Sequence, residues 1–340
     1  MKIIVLTGGT SSERNVAIAS GKAIANALRS SGHFVKVIDP MYGISQPEES
    51  IIFSSKEIGK EFPSAEELKS FSDKKVFECL SSSLFDNTEF VFLGLHGKFG
   101  EDGKVQSVLE LRGLKYSGSG VTSSAVAMDK NLSKIIFKEA GICVADWFMA
   151  DKNTKPISLN EKIRKSMGYP VVVKPNDEGS TVGLSIVKPD VEDVQLGDAL
   201  NEAFKYSESV MVEKFIEGRE LTVAVLGNEP LPLVEIKPKD GFYDYEHKYT
   251  KGMTKYICPA EINHEIAEEI QHAAMIAHNL LGCKAYSRVD FRMNAKNEFY
   301  CLEVNTLPGM TELSLVPKAA TTAGIDFKTL LEKIIQLSIN

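Results

Sequence analysis

Two acidic residues in the last quarter of the chain have the spacing of opposed metal ligands. The segment SRVDFRMNAKNEFYCLEVN predicts a β-hairpin that turns near residues 296–297. An even-numbered loop there would place Asp290 opposite Glu303. The same register pairs Arg288 with Asn305, and strand alternation puts all four side chains on one face. Such oxygen ligands suit Mg²⁺, which shares its shell with water and phosphates. The alternative is a solvated strand face with salt bridges, but the apolar residues between indicate a strand packed on its other side.

A lysine and a Gly-containing loop form a candidate phosphate site. Lys174 ends the apolar strand YPVVVKP, and NDEGSTVG follows it. Backbone N–H groups of such a loop bind phosphate oxygens, with the lysine as cationic partner. The segment matches neither the GxxxxGK[ST] pattern nor a GxGxxG after a strand. A lysine before a loop is also compatible with a solvated surface, so this segment has little weight alone.

Three weaker signals accompany these two. In VMVEKFIEGRELTV, Glu213–Ile216 fits a hinge strand whose backbone binds an adenine edge, with Glu220 placed for ribose hydroxyls. Charged residues at strand ends are common, so this pattern decides nothing alone. Residues 241–262, rich in Tyr and Lys without periodicity, predict a long functional loop, the alternative being an ordinary surface loop. His96 lies between an apolar strand and a Gly-rich loop.

The order of elements indicates how these segments are positioned. KIIVLTGG, a helix and FVKVID form a strand–helix–strand unit, which predicts a parallel sheet. EFVFLGLHG adds a strand. The loops Gly8–Glu13 and His96–Gly103 then follow the carboxyl ends of strands, where α/β sheets bind ligands. Residues 40–87 have no clear assignment.

The remainder predicts two mixed α+β units. Residues 123–140 read as one long helix, followed by a linker around Trp147. Seven strand-like segments rich in Val and Ile follow. The amphipathic final segment, FKTLLEKIIQLS, predicts a helix that packs as a lid on the last unit.

Composition excludes several classes of protein. The chain has 340 residues, 43% hydrophobic and 25% charged, which indicates a globular protein of two or three domains. The net charge of −7 and the absence of a strongly basic block make nucleic acid an unexpected partner. No apolar run is long enough to span a membrane, and the first residues read as a buried strand rather than a signal peptide. Five scattered cysteines indicate reduced thiols and a cytoplasmic location.

Together these segments resemble the D-alanine–D-alanine ligase family of ATP-grasp enzymes. The resemblance runs in order through GGTSSERNV, HGKFGEDG, SGSGVTSSAVAMDK, KPNDEGSTVG, FYDYEHKY, SRVDF and EVNTLPGMTELSLVP. It implies an α/β and α+β fold, a three-domain ATP-grasp architecture with an N-terminal Rossmann-like parallel-sheet domain. The implied domains are 1–120, which binds substrate, 121–212, the central ATP-grasp domain, and 213–340, the C-terminal ATP-grasp domain with the metal and oxyanion site.

The resemblance also implies a role for each site residue. ATP would be bound by Lys130, Lys174, Glu213, Lys214, Phe215, Ile216, Glu220 and Lys248. Two Mg²⁺ ions, for which Mn²⁺ is an alternative, would be held by Asp290, Glu303 and Asn305. The implied catalytic group comprises Glu13, Ser180 and Tyr249, joined by hydrogen bonds, with Arg288 and the Gly309 N–H as the oxyanion site. Glu13 would pair with the amine of the first D-alanine, His96 would lie near it, and Ser314 and Leu315 would meet the carboxylate of the second.

The implied reaction is ligation of two D-alanines with ATP, through an acyl phosphate, for peptidoglycan precursors. The alternatives are a ligase of the same fold that takes D-lactate or D-serine second, and a non-catalytic nucleotide-binding regulator. Tyr249 favours an amine nucleophile over a hydroxyl. A regulator would be expected to lose Arg288, Asp290, Glu303 or Lys174, and all are present. The expected partners are small molecules, with no nucleic acid and no membrane, and the resemblance implies a homodimer.

Overall fold

The structure is a computed structural model that describes residues 1–54, 66, 68, 71–189, 192–239, 253–311 and 314–339. Lys248 and Tyr249 lie outside the described residues, as does the first half of the segment expected to form a long loop. Within the described part of the chain, no helix combines the length and apolar character needed to cross a bilayer.

The first sheet is parallel, as the strand–helix–strand pattern predicts. Its strands are β1 (Lys2–Leu6), β2 (Phe34–Ile38) and β3 (Phe90–Leu93), in the order β2-β1-β3. The helices around it are α1 (Arg14–Ser30), α2 (Glu49–Ile52), α3 (Asp73–Leu80) and α4 (Lys104–Leu111), with 3₁₀ turns at Pro40–Tyr42 and Ser83–Phe85. Because β1 and β3 are parallel neighbours, the loops after them meet, and the Ser11 hydroxyl donates to the His96 carbonyl at 2.6 Å.

The predicted helix over 123–140 is wrong, because it breaks at Asp129. Two helices form instead, α5 (Val121–Met128) and α6 (Lys130–Glu139). Asp129 has extended backbone angles, and its carboxylate accepts from the Leu132 N–H at 2.9 Å and from the Asn176 amide at 2.8 Å. An aspartate that caps a new helix competes with continuation of the old one. The break places Lys130 at the start of α6.

The second sheet is antiparallel. Its strands are β4 (Trp147–Ala150), β5 (Val171–Pro175), β6 (Ser185–Val187) and β7 (Val210–Lys214), in the order β4-β7-β5-β6. The expected linker at Trp147 is therefore wrong, since this residue begins an edge strand. Helices α7 (Pro156–Ser166) and α8 (Glu192–Ala203) bury Ile163 and Leu196 against one face of the sheet. The opposite face, with Val172 and Lys174, lines a cleft.

The third sheet has six strands. They are β8 (Arg219–Leu226), β9 (Glu229–Pro230), β10 (Val234–Pro238), β11 (Thr254–Ile257), β12 (Tyr286–Met293) and β13 (Phe299–Asn305), ordered β11-β10-β8-β12-β13 with β9 paired to β8. Helix α9 (His264–Leu280) packs Ile270 and Ala274 on one face, against Val289 and Phe291. Strand β11 lies inside the segment that the sequence predicts as a long loop. That prediction is therefore wrong for Thr254–Ile257.

The hairpin β12–β13 has the predicted pairing for a different reason. Met293 pairs with Phe299, so the loop is odd-numbered rather than even-numbered. That register alone would set Asp290 opposite Leu302. A one-residue shift beside Asp290, a β-bulge, pairs it with Glu303 instead. Both Leu302 and Glu303 consequently line the cleft.

The last two helices, α10 (Leu315–Thr322) and α11 (Phe327–Ile339), join the first and third units. The apolar side of α11, with Leu330 and Ile334, is buried in the same core cluster as Ile24 and Leu28 of α1. The predicted packing on the last unit is present, because Ala224 and Leu226 of β8 belong to the same cluster, but the helix also packs on the first unit. Amphipathicity identifies a buried face without identifying what covers it.

Candidate active site

One cleft is lined by the second and third sheets and by the segments that follow β1 and β3 of the first sheet, and it encloses about 1640 Å³, its open mouth included. Every predicted site residue that the structure describes contributes to its lining. These are Glu13, His96, Lys130, Lys174, Ser180, Glu213, Lys214, Phe215, Ile216, Glu220, Arg288, Asp290, Glu303, Asn305, Gly309, Ser314 and Leu315. Lys248 and Tyr249 are the remaining two, outside the described residues.

A buried carboxylate between two lysines forms the floor of the cleft on the second sheet. Glu213 contacts the Lys174 ammonium at 2.6 Å and the Lys134 ammonium at 2.5 Å. Lys134 is fully buried and was not singled out from the sequence. Burial alone would raise the pKa of Glu213, but the two ammonium groups reverse this effect and lower it. The carboxylate is therefore ionised and holds Lys174 in place.

Lys130 lies where the second and third sheets meet. Its ammonium donates to the Glu178 carbonyl at 2.6 Å and lies 3.1 Å from the Glu303 carboxylate. Burial by itself lowers the pKa of Lys130, but the carboxylates of Glu303, Glu178 and Asp177 together outweigh burial and raise it. Lys130 and Lys174 thus place two positive charges beside the Gly-containing loop.

That loop reaches the first unit through Glu178 and Ser180. The Glu178 carboxylate contacts the Lys98 ammonium at 2.8 Å, and the Ser180 hydroxyl donates to the Glu13 carboxylate. Gly179 packs so closely on Glu13 that a Cβ would lie 2.7 Å from its Oε2. The predicted bond between Ser180 and Glu13 is present, and a larger residue at position 179 would have to displace the Glu13 carboxylate.

The acidic face of β12–β13 carries its own cations. Arg288 donates to both Asp290 oxygens, at 2.9 and 2.7 Å. Thr222 donates to Asp290 at 2.6 Å, and the Asn305 amide does so at 3.1 Å. The two carboxylates face each other across the strands, as predicted, with a guanidinium and an ammonium beside them.

The donor set fits a hard divalent ion. Among the described residues, no cluster of three or more His, Cys, Asp or Glu forms. A metal at Asp290 and Glu303 would therefore have two carboxylates and the Asn305 amide from the protein, with phosphate oxygens and water completing its shell. The neighbouring cations balance the two acids in the structure as it stands.

His96 clamps the loop that follows β13. A carbonyl only accepts, so the contact of Nδ1 with the Leu307 carbonyl at 2.8 Å requires an N–H there. Burial lowers the pKa of His96, which keeps the ring neutral, so Nε2 accepts from the Ser20 hydroxyl at 2.9 Å. The Ser20 oxygen in turn accepts from the Met310 N–H at 3.2 Å. Gly309 lies between these two anchored residues.

The loop from 307 to 314 has two further anchors. The two oxygens of the Glu101 carboxyl group accept from the backbone N–H groups of Leu307 at 3.1 Å and Gly97 at 2.8 Å. The Ser314 hydroxyl accepts from the Thr311 N–H at 2.9 Å, just before α10. The candidate oxyanion donor and the predicted carboxylate site are thereby held together.

Two family models match most of the chain. Residues 2–119 match the family model described as "D-ala D-ala ligase N-terminus", and residues 136–336 match "D-ala D-ala ligase C-terminus". The chain belongs to the D-alanine–D-alanine ligase family.

Relatives of the D-alanine–D-alanine ligase family match the chain over nearly its whole length. A D-alanine–D-alanine ligase from Halalkalibacterium halodurans is 41% identical, covering 100% of this chain and 99% of its own. The crystal structure of the ligase from Bacillus anthracis complexed with ATP has a TM-score of 0.75 at 33% identity, covering 100% of this chain and 97% of that one. VanG D-Ala:D-Ser ligase from Enterococcus faecalis has a TM-score of 0.78 at 29% identity, covering 99% of each. The predicted family and ATP-grasp fold are confirmed.

Three cleft residues of this family member, Glu101, Glu178 and Arg292, were missed by reading the sequence. The fully buried Lys134, which pairs with Glu213, was missed as well. Glu178 lies inside the quoted loop segment, and Lys134 follows Lys130 by four positions, one helical turn. Arg292 continues the alternation of Arg288 and Asp290 along β12. The spacing in each case was available, but no single strand or helix shows which neighbours a charged side chain meets.

Proposed function

We propose that this chain joins two D-alanines into D-alanyl-D-alanine with ATP, through an acyl phosphate. The observation that carries the proposal is the single cleft in which two buried lysines, two opposed carboxylates and an anchored glycine loop converge. This arrangement neutralises phosphate at one end and stabilises a developing oxyanion at the other.

The phosphate end is formed by Lys130, Lys174 and the loop 178–181. Lys174 is fixed by Glu213, and Lys130 is fixed by the Glu178 carbonyl and Glu303. Asp290, Glu303 and Asn305 would hold two Mg²⁺ ions, or Mn²⁺, and Lys248 would add a further phosphate contact. When bound, these ions neutralise phosphate charge and orient the transferred group.

The nucleoside end is formed by the hinge Glu213–Ile216. Its backbone is held by adjacent segments, because the Lys214 N–H donates to the Asp146 carbonyl at 2.8 Å and the Phe215 N–H donates to the Pro170 carbonyl at 3.2 Å. In this proposal the hinge binds adenine, and Glu220 accepts hydrogen bonds from ribose hydroxyls.

The acceptor end is formed by the first unit and the loop 307–314. Glu13 pairs with the ammonium of the first D-alanine, with His96 close by. A carboxylate oxygen of this D-alanine attacks the γ-phosphorus of ATP, which forms the acyl phosphate while ADP leaves. The amine of the second D-alanine attacks the acyl carbon, and phosphate leaves. Arg288 and the Gly309 N–H stabilise the oxyanion between these events. Ser314 and Leu315 bind the second carboxylate, and Tyr249 completes the hydrogen-bonded group with Glu13 and Ser180.

We further propose an assembly, a location and a domain organisation for the chain. The chain acts as a homodimer in the cytoplasm, on small molecules alone, to supply peptidoglycan precursors. Its functional units are 1–120, 121–212 and 213–340. Strand β7 (Val210–Lys214) runs through residue 212, so the central and C-terminal units share that strand.

A second candidate is ligation of D-alanine to D-serine, which the likeness to VanG D-Ala:D-Ser ligase favours. D-lactate as the second substrate, and a nucleotide-binding regulator without turnover, are the other outcomes to separate.

The test is phosphate release from ATP and Mg²⁺ by the full chain, with dipeptide identified by chromatography. D-alanine alone, L-alanine alone, and D-alanine mixed with D-serine or D-lactate are compared. Release and D-alanyl-D-alanine with D-alanine alone are expected, with no release for L-alanine. If the main product contains D-serine or D-lactate, that molecule is the preferred second substrate. ATP binding without release in any mixture would overturn the ligase proposal.

A further inference from the structure

Strand β12 presents a third charged side chain to the cleft, beyond the two already described. Arg288, Asp290 and Arg292 alternate with the buried Val289 and Phe291. All three charged residues line the cleft. Arg288 and Asp290 contact each other. Arg292 lies further along the strand, next to its end.

Arg292 contacts three residues of the proposed adenosine site at once. Its Nε donates to the Ile216 carbonyl at 3.0 Å, and its Nη1 lies 3.2 Å from the Glu220 carboxylate. Its guanidinium carbon lies 5.3 Å from the centroid of the Phe215 ring. Register explains part of this convergence, because Arg292 lies directly opposite Glu220 on β8.

The ion pair of Arg292 and Glu220 is largely shielded from solvent. The side chains of Arg292 and Glu220 retain only 13% and 15% of their exposure. A planar guanidinium donates in fixed directions and so holds both acceptors in a defined relative position, whereas the ammonium of a lysine does not have this fixed geometry. Arg292 thereby fixes the distance between the hinge backbone at Ile216 and the Glu220 carboxylate before the nucleotide binds. Preorganisation of this kind strengthens binding.

We propose that Arg292 is a positioning residue for the adenosine end of ATP. It orients the Glu220 carboxylate toward the ribose hydroxyls and holds the hinge at Ile216. This inference rests on the proposed function for the identity of the nucleotide, but it concerns binding and not the later ligation step.

The experiment compares ATP with 2′,3′-dideoxy-ATP, which lacks both hydroxyls. Dissociation constants of the full chain for each nucleotide with Mg²⁺ are measured by calorimetry, and kcat and KM are measured with D-alanine. In Arg292→Met we expect ATP binding to weaken about tenfold, which is the scale of one charge-assisted hydrogen bond. Binding of the dideoxy analogue should weaken by a clearly smaller factor, with kcat and the KM for D-alanine little changed.

Two further variants sharpen the result. Glu220→Ala should lose the same preference for ATP over the analogue, and Arg292→Met should add little further loss of that preference in its background. Arg292→Lys should lie between the wild type and Arg292→Met. Arg219→Met is the matched control, because Arg219 pairs with Glu235 at 2.7 Å on the neighbouring strand and does not line the cleft. It should leave both dissociation constants unchanged.

Each remaining outcome overturns the inference or a distinct part of the function. Equal weakening for both nucleotides, or a fall in kcat with unchanged binding, would show that Arg292 does not act through the ribose. If Glu220→Ala keeps its full preference for ATP, the ribose role of Glu220 is wrong and the inference fails with it. If Arg292→Met selectively weakens ATP binding while the wild-type chain forms no dipeptide, that result would support the inference and overturn the ligase proposal. If Arg292→Met does not fold, Arg292→Lys and Glu220→Ala give the same comparison.

Discussion

Asp290 and Glu303 face each other across β12–β13 because a bulge corrects the register that the loop sets. Without the bulge, Asp290 would lie opposite Leu302, and Glu303 would point toward the core that contains Cys301 and Val304. A one-residue slip in a strand exchanges its two faces, so this irregularity decides whether the second carboxylate reaches the cleft.

Glu303→Gln should nearly abolish dipeptide formation while the fold survives. The change keeps the size of the side chain but removes one carboxylate from a proposed metal site and from the contact with Lys130. Activity and the thermal unfolding midpoint are measured together. Glu298→Gln, at the exposed turn of the same hairpin, is the matched control and should remain active. Near-normal kcat in the Glu303 variant would remove Glu303 from the metal site.

Arg288→Ala should lower kcat by a factor on the order of 10² to 10³, the usual effect of losing one oxyanion donor. Because Arg288 also pairs with Asp290, binding of ATP with Mg²⁺ is measured alongside turnover. Arg288→Lys, which keeps the charge, should recover part of the rate. A change limited to the KM for ATP would contradict the oxyanion role.

Ser20→Ala should lower kcat about tenfold with little change in the KM for ATP, since a displaced catalytic group of this kind costs rate more than binding. The variant removes the donor to His96 and the acceptor for the Met310 N–H, and Gly309 lies between the anchored residues. Ser30→Ala, on the exposed end of the same helix, is the control. Unchanged kcat would mean that the loop keeps its position without Ser20.

Lys134→Met should lower the free energy of unfolding by about 3 kcal/mol, the scale for removing one partner of a buried ion pair. Glu213 would keep Lys174 but lose its second, fully buried cation. Denaturant unfolding measures the change. Lys138→Met, one turn further along α6 and exposed, should change stability by less than about 0.5 kcal/mol. Equal stability of the two variants would refute the structural role of the buried lysine.

Glu101→Gln should change how stability depends on pH. Burial, with the nearby Glu13 carboxylate, raises the pKa of Glu101 from 4.5 to about 8. Between these values the folded chain alone keeps the proton, so the contribution of Glu101 to stability falls as pH rises from 4.5 to 8. The free energy of unfolding of the wild type should therefore decline relative to the variant across this range. Glu110→Gln, on the exposed surface, is the control, and parallel profiles for the wild type and Glu101→Gln would contradict the shift.

The sequence alone determined the family, the parallel first sheet and most of the strands, but not β4, β9 and β11. Those features depend on local alternation, on helix and turn signals, and on the order of motifs, which are all written along the chain. Asp290 and Glu303 were likewise identifiable, because the alternation of polar and apolar residues in the predicted hairpin places two carboxylates on the same face. Such a pair indicates a cation site.

Only the tertiary structure decided which side chains meet. The bulge at Leu302 and the packing of α11 on the first unit depend on contacts between distant segments, which local propensity does not record. The break at Asp129 combines a local helix cap with a hydrogen bond from the distant Asn176. The same holds for Lys134 against Glu213 and for Arg292 against Ile216, Phe215 and Glu220. A charged residue has the same intrinsic preferences on an exposed strand as in a cleft, and its role follows from the partners that the assembled sheets bring within hydrogen-bonding distance.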